Sequence, residues 1–310
     1  MDFELNDDQR AILEAVKGLL ARHAGAARAV ELQAKGGYDF DLDQALGDAG
    51  FADVARGEVT GGLEAALIVE AVAKAAGVSA IGAAALVAPI LTDESLPTPI
   101  ALVHAGGAGP IRFAAHARTL LVLGDEEARV VEFEAGEATP VASNFGYPMG
   151  CAPPGLERRG RGLGAGSAER MRSGWRLCLA VEALGRMEAA LEYTVAYLKQ
   201  RRQFGRAIAS FQAVQHRLAE CAIALEGSRW LCYETAYKGV SEEAAATSAS
   251  YTMAAAAQLF AETHQLSGAI GFTREHDLHV WTMGLQALRL ELDGVSGHRR
   301  ALVEARWGAG

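Results

Sequence analysis

Apolar positions near the start of the chain recur at three- and four-residue steps: Phe3, Leu5, Ile12, Leu13, Val16, Leu19 and Leu20. That spacing predicts an amphipathic helix, with Asn6 or Asp7 placed to cap it. Gly36-Gly37 and Gly61-Gly62 mark breaks. The Ala-rich run from Leu63 to Leu91 predicts one or two buried helices whose small side chains allow close packing. After residue 95 the period changes. Pro97, Pro99 and Pro110 enter, and short β-type runs follow at 99–103, 119–123, 129–133 and 139–142, separated by Gly and Asp. They predict a small sheet of four or five strands. Residues 150–167, rich in Gly, Pro and Arg, read as a linker or exposed loop, with a basic arm at Arg158, Arg159 and Arg161 as the alternative. Helical periods return from Ala168, over 177–201, 211–237, 242–266 and about 278–292; after a turn at Gly294 and Gly297, a last helix covers 299–307. Long antiparallel helices with short connections predict a four-helix bundle. The reading is mainly α with a small β insert: an N-terminal helical domain (1–95), a reduced middle β domain with a linker (96–167) and a C-terminal bundle (168–310).

Composition narrows the function classes. The chain has 310 residues, half of them hydrophobic, enough for a sizeable core. A net charge of −9 argues against a nucleic-acid partner, because phosphate binding needs clustered Lys and Arg. Cys151, Cys178, Cys221 and Cys232 lack CxxC or metal spacing and read as reduced thiols, with a cytoplasmic location expected. The first residues carry Asp2, Glu4, Asp7 and Asp8, unlike a signal peptide. Ala75 to Leu91 is too short and too weakly apolar for a membrane span. His276 and His279 lack a third ligand, so no metal site is expected. His216 reads as a surface or packed histidine, and Trp230 as bundle core or interface.

Two motifs carry chemistry. The first is Arg201-Arg202-Gln203-Phe204-Gly205 with Phe211-Gln212 after it; the second is Gln265 to Phe272. Read alone, each fits a helix end: an Arg-rich solvated turn and a Gly loop. Together with the helices on either side, they resemble the C-terminal helical domain of acyl-CoA dehydrogenases. The opening helix also resembles that family's, so the resemblance covers 1–95 and 168–310 well and 96–167 poorly. It implies FAD and an acyl-CoA substrate. It implies that Arg201 and Gln203 reach the diphosphate of a flavin held mainly by a neighbouring subunit, with Phe204, Phe211 and Gln212 beside them. A guanidinium suits that role because it matches phosphate oxygens bidentately and stays charged. Gln265, Gly268 and Ala269 correspond to the family's glutamine-glycine loop on the adjacent flavin. There the second glycine is replaced by Ala269, so one methyl intrudes.

The resemblance also shows losses. The family's usual base is a glutamate in a Glu-Gly-Thr turn; here Asp293-Gly294-Val295 stands in its place. A carboxylate one methylene short retreats by roughly an ångström, and misplacement on that scale costs about 10²-fold. Another subset places the glutamate one residue before an arginine. That arginine matches Arg176, which is carried over as a substrate-side residue, but its neighbour is Trp175 and supplies no base. Glu291, read as helical, is expected to point about 200° away from Asp293. The family's ring-binding stretches are missing between 96 and 167, which contain no Trp, and Met283-Gly284 replaces a usual Arg-Asp pair. Losses confined to one side of a shared site imply a shortened subunit of an α2β2 heterotetramer. Such a subunit pairs with a fuller paralogue and acts on a bulky acyl-CoA such as a steroid side-chain thioester, with an electron-transfer flavoprotein as possible acceptor. A homo-oligomer using Asp293 as base and a flavin-free acyl-CoA-binding scaffold are the alternatives.

Overall fold

The computed structural model describes residues 4–57, 60–107, 109–134 and 136–308. Phe3 of the opening apolar pattern lies outside them. Helix α1 (Asp7–His23) starts where the pattern places it. The Asn6 side chain accepts from the Gln9 amide at 2.8 Å, and Gln9 Oε1 accepts from the Asn6 amide at 3.0 Å. This reciprocal box satisfies two of the donors that a helix start leaves bare. Helix α2 (Ala26–Lys35) ends at Gly36 with φ 61°, and α3 (Phe40–Asp48) is capped by Asp39. Helix α4 (Gly62–Lys74) accounts for only the first part of the Ala-rich run. The remainder holds a π turn at Ala83–Val87 and a 3-10 turn at Ala88–Ile90, both buried apart from the last two residues. Pro89 lacks an N–H and its ring collides with the carbonyl a turn back, so a regular helix cannot continue there.

Two small sheets follow. Strands β1 (Ile100–His104), β3 (Thr119–Leu123), β4 (Ala128–Glu132) and β7 (Arg161–Gly162) form one in the order β1-β3-β4-β7. Strands β2 (Ile111–Arg112), β6 (Met149–Cys151) and β5 (Thr139–Val141) form the other in the order β2-β6-β5. β1 runs parallel to β3, with Ile100 opposite Thr119, and β4 returns antiparallel. Every residue of β3 is buried, because it is central in its sheet and covered on both faces. The stretch 150–167 is not a free linker. It supplies β7 and part of β6, and Arg159 and Arg161 pair with Glu137 and Glu94, each at 2.6 Å, so no open basic arm forms there.

Helix α5 (Ser167–Gln200) is the axis of the molecule and starts ten residues earlier than its apolar period indicates. It packs against α4, α6 (Gln212–Lys238), α7 (Glu242–Ser267) and α8 (Leu278–Leu288). Gly185 makes the α4 contact possible: a Cβ there would lie 2.2 Å from the Glu70 carbonyl oxygen. Helix α8 stops at Leu288, four residues short of the expected end, and α9 (Gly294–Trp307) begins five residues early. Between them Leu292, Asp293 and Gly294 are left-handed, at φ 51°, 63° and 63°. Helical periodicity cannot reveal such a reversal, since the side-chain pattern continues through it. No helix among the described residues is long and apolar enough to cross a membrane.

Candidate functional site

The α8–α9 junction faces the β insert across a cavity of about 830 Å³. Its walls come from β1, β2, the loop 141–145, Trp175 on α5 and the segment from Leu290 to Asp293. Asp293 lines this cavity, is exposed, and forms no ion pair among the described residues. Glu291 lines it too, which corrects the expectation that it points away; that expectation assumed a helix through 292, and α8 has already ended. Glu291 is firmly held. One carboxylate oxygen accepts from Trp175 Nε1 at 2.6 Å and the other from Arg112 Nε at 2.8 Å. Both oxygens of Glu291 are thus engaged, whereas Asp293 has no such donor among the described residues.

Arg112 is 8% exposed and also donates through Nη1 to Glu182 on α5. Burial alone would lower its pKa; Glu182 and then Glu291 hold it well above the ordinary value. Its guanidinium lies 4.9 Å from the Tyr147 ring centre, and Arg186 approaches the same ring at 4.5 Å. Burial pushes the Tyr147 hydroxyl up to about 12. Arg186 donates to the Val280 carbonyl at 3.1 Å, and Gly284 leaves the room: a Cβ there would meet Arg186 Nη1 at 2.5 Å. Sequence reasoning missed Arg112 and Glu182. A lone carboxylate inside the apolar run Leu177–Leu184 was the available signal, since buried acids persist only when paired.

Arg176, the substrate-side candidate, does not line the cavity. It is 5% exposed, and its Nε and Nη1 have no hydrogen-bond partner. Burial, followed by the nearby Arg172 charge, lowers its pKa, against attraction from Glu242, Glu304 and Asp293. His298 on α9 is fully buried with both ring nitrogens unpartnered; burial and then Arg176 depress its pKa to about 4. Gly297 lets the first turn of α9 close on the junction, because a Cβ there would lie 2.5 Å from Asp293 Cβ.

The first motif lies at the other end of α5. Arg201 caps that helix through its amide, which bonds to the Tyr197 carbonyl at 2.9 Å. Strands β8 (Arg202–Gln203) and β9 (Arg206–Ala207) then make a hairpin turning on Phe204 and Gly205, at φ 55° and 79°. Positive φ at both turn residues is the tight hairpin geometry, strained for an aromatic residue. Phe204 is nevertheless 90% exposed. Arg201, Gln203 and Gln212 are exposed as well, and Arg206 stacks on Phe211 at 3.9 Å. Neither Arg201 nor Arg202 has an ion-pair partner among the described residues. Gln265, Gly268 and Ala269 are exposed at the end of α7, and a Cβ on Gly268 would meet nothing within 4 Å. The Arg217–Glu262 ion pair, at 2.5 Å, ties the start of α6 to the end of α7, so both motifs share one end of the bundle. Unpaired guanidinium groups, an exposed aromatic and an open glycine backbone fit the diphosphate of a dinucleotide. Trp175 and Arg201 are separated along α5 by about seven turns, roughly 39 Å. The exposed motifs and the wall of the Asp293 cavity that Trp175 supplies therefore lie towards opposite ends of α5.

His276 packs against Tyr193 and Tyr197, at 4.7 and 5.0 Å, and no metal-binding cluster occurs among the described residues. His216 is exposed on α6.

Residues 162–307 match the acyl-CoA dehydrogenase C-terminal domain. The chain is similar to acyl-CoA dehydrogenase IpdE2 of Mycobacterium tuberculosis, 29% identical over 290 residues that span 89% of this chain and 90% of that one. Its fold matches the ChsE4-ChsE5 complex from Mycobacterium tuberculosis over 100% of both chains, with a TM-score of 0.80 at 19% identity. It also matches the Tcur3481-Tcur3483 steroid ACAD over 96% of this chain and 97% of that one, with a TM-score of 0.80 at 21% identity.

Proposed function

From the match of residues 162–307 to the acyl-CoA dehydrogenase C-terminal domain and the likeness to IpdE2, we propose that this chain is the shortened subunit of a heteromeric, FAD-dependent acyl-CoA dehydrogenase. Its substrate is a bulky acyl-CoA of the steroid side-chain type, and a fuller paralogue completes an α2β2 assembly. The single observation that carries the reading is the separation of about 39 Å along α5 between the exposed Arg201 hairpin and the Asp293 cavity. A chain built this way offers its diphosphate grip to a flavin whose ring lies in another chain. The similarity to IpdE2 and to two-component structures supports a partner of related sequence.

Arg201 is suited to hold diphosphate oxygens, with Gln203 and Gln265 as neutral donors and Phe204 and Phe211 as aromatic walls. FAD, when bound, supplies the hydride acceptor for a substrate Cβ. The base that removes the Cα proton is assigned to the partner. A second reading keeps it here, favoured by the unpaired Asp293 carboxylate on a cavity of about 830 Å³; the acceptor downstream is of the electron-transfer-flavoprotein type.

Expression of the chain alone, and together with a fuller acyl-CoA dehydrogenase paralogue from the same source, tests the proposal. Little or no flavin absorbance is expected from the lone chain, with absorbance restored at a fixed subunit ratio on co-expression. Stoichiometric yellow protein from this chain alone would sink the heteromer.

A further inference from the structure

An arginine stands in the inner wall of the cavity, yet that wall carries excess negative charge. Arg112 is shared by two carboxylates, Glu182 and Glu291, whose side chains are 9% and 20% exposed. Its guanidinium also lies against the rings of Tyr147 and Phe113, at 4.9 and 5.3 Å. Little of that cation remains for a ligand. Glu182 lies behind Arg112 on α5, while Glu291 and Asp293 both line the cavity. Among the described residues lining it, the only other basic side chain is the exposed His104 on β1. Leu102, Val103, Ile111, Phe145, Met149 and Trp175 supply apolar surface.

We propose that the Glu182–Arg112–Glu291 triad makes this cavity reject anionic acyl groups, so that the acyl body it accepts is bulky and uncharged. Glu291 is the specificity-determining residue. The inference rests on the acyl-CoA reading above. A carboxylate brought to the inner wall meets the like charge of Glu291, backed by that of Glu182, in surroundings where water screens poorly, and finds the arginine of that wall already paired. An ester, ketone or hydroxyl at the same place meets no such repulsion, and the triad stays intact. Discrimination here comes from an element that repels the wrong ligand rather than one that grips the right one.

The test compares two probes: the CoA monothioester of a cyclohexane diacetic acid, and the methyl ester of the same thioester. Both carry the same CoA, so their affinity ratio isolates the charge at the far end. Calorimetric titration of the assembled protein should favour the ester by at least about tenfold, the low side of what like-charge contact costs. Glu291→Gln keeps an oxygen acceptor for one donor while removing one charge, and the ratio should fall to within about threefold. Glu182→Gln removes the same charge from the α5 side and should narrow the ratio likewise, which covers the case in which the first variant fails to fold. Equal binding of the two probes by the wild type, or a ratio unchanged in both variants, overturns the inference and leaves the acyl-CoA reading standing. Binding of neither probe overturns both.

Discussion

His298 is the place where acid should first unsettle this fold. It is fully buried on α9, neither ring nitrogen has a partner, and Arg176 adds a nearby positive charge. Burial is the larger of these two effects, and together they depress its pKa from 6.5 to about 4. The sign follows from linkage: a folded-state pKa below the unfolded one means that the unfolded chain binds the proton more readily between those values. Stability is therefore intact above about pH 6.5, falls as pH drops through the window, and levels off for this group below about pH 4. A shift of that size corresponds to about 3 kcal/mol, a large part of the 5–15 kcal/mol typical of a native protein. His264 and His276 are also depressed by burial and contribute to the same slope, so the comparison must be made with a variant. His298→Leu removes the titration and fills similar space, and it leaves no polar group behind because the imidazole bonded to nothing. Urea unfolding at fixed protein concentration, repeated from pH 7.5 to 4, should show near-equal stability of the two proteins at neutral pH. The variant should be the more stable by about 3 kcal/mol near pH 4. Parallel curves for the two proteins would refute the reasoning.

Two further outcomes are expected. Asp293→Asn keeps a residue tolerant of left-handed backbone, so the junction should hold its shape. If the partner supplies the base, flavin bleaching by acyl-CoA in single-turnover experiments on the assembly should stay within a few-fold; loss beyond about 10²-fold would place the base on this chain. Gly185→Ala forces a methyl against the α4 backbone and should destabilise the protein by about 1–3 kcal/mol in denaturant unfolding, with no change in midpoint counting against the close α4–α5 contact.

Long amphipathic periods were legible because burial of one helix face repeats every turn, and the strand at 119–123 was read to the residue. The two-residue strands β2 and β7 were not, since pairing that short leaves no alternation to detect. The hairpin at Phe204-Gly205 was read as a helix end, because its geometry lies in two positive φ values rather than in composition. The motif residues themselves were legible, and the structure leaves Arg201, Gln203, Gln265 and Gly268 exposed at one end of the bundle. Arg176 lies off the cavity for another reason: adjacent helix positions differ by about 100°, and Trp175 lines the cavity in its stead. The triad on Arg112 escaped because its three members lie on three distant segments, which only folding brings together.

Helix α5 works as a rigid spacer, and that has a consequence for how the chain can drift. Gly185 seats its middle directly against the α4 backbone, so neither end can shift to accommodate change at the other. The Arg201 hairpin continues this rod at one end, and the Asp293 junction leans on it near the other through the Trp175–Glu291 bond. Substitutions at the two places are expected to act separately, with compensation for each sought in whatever molecule meets that end.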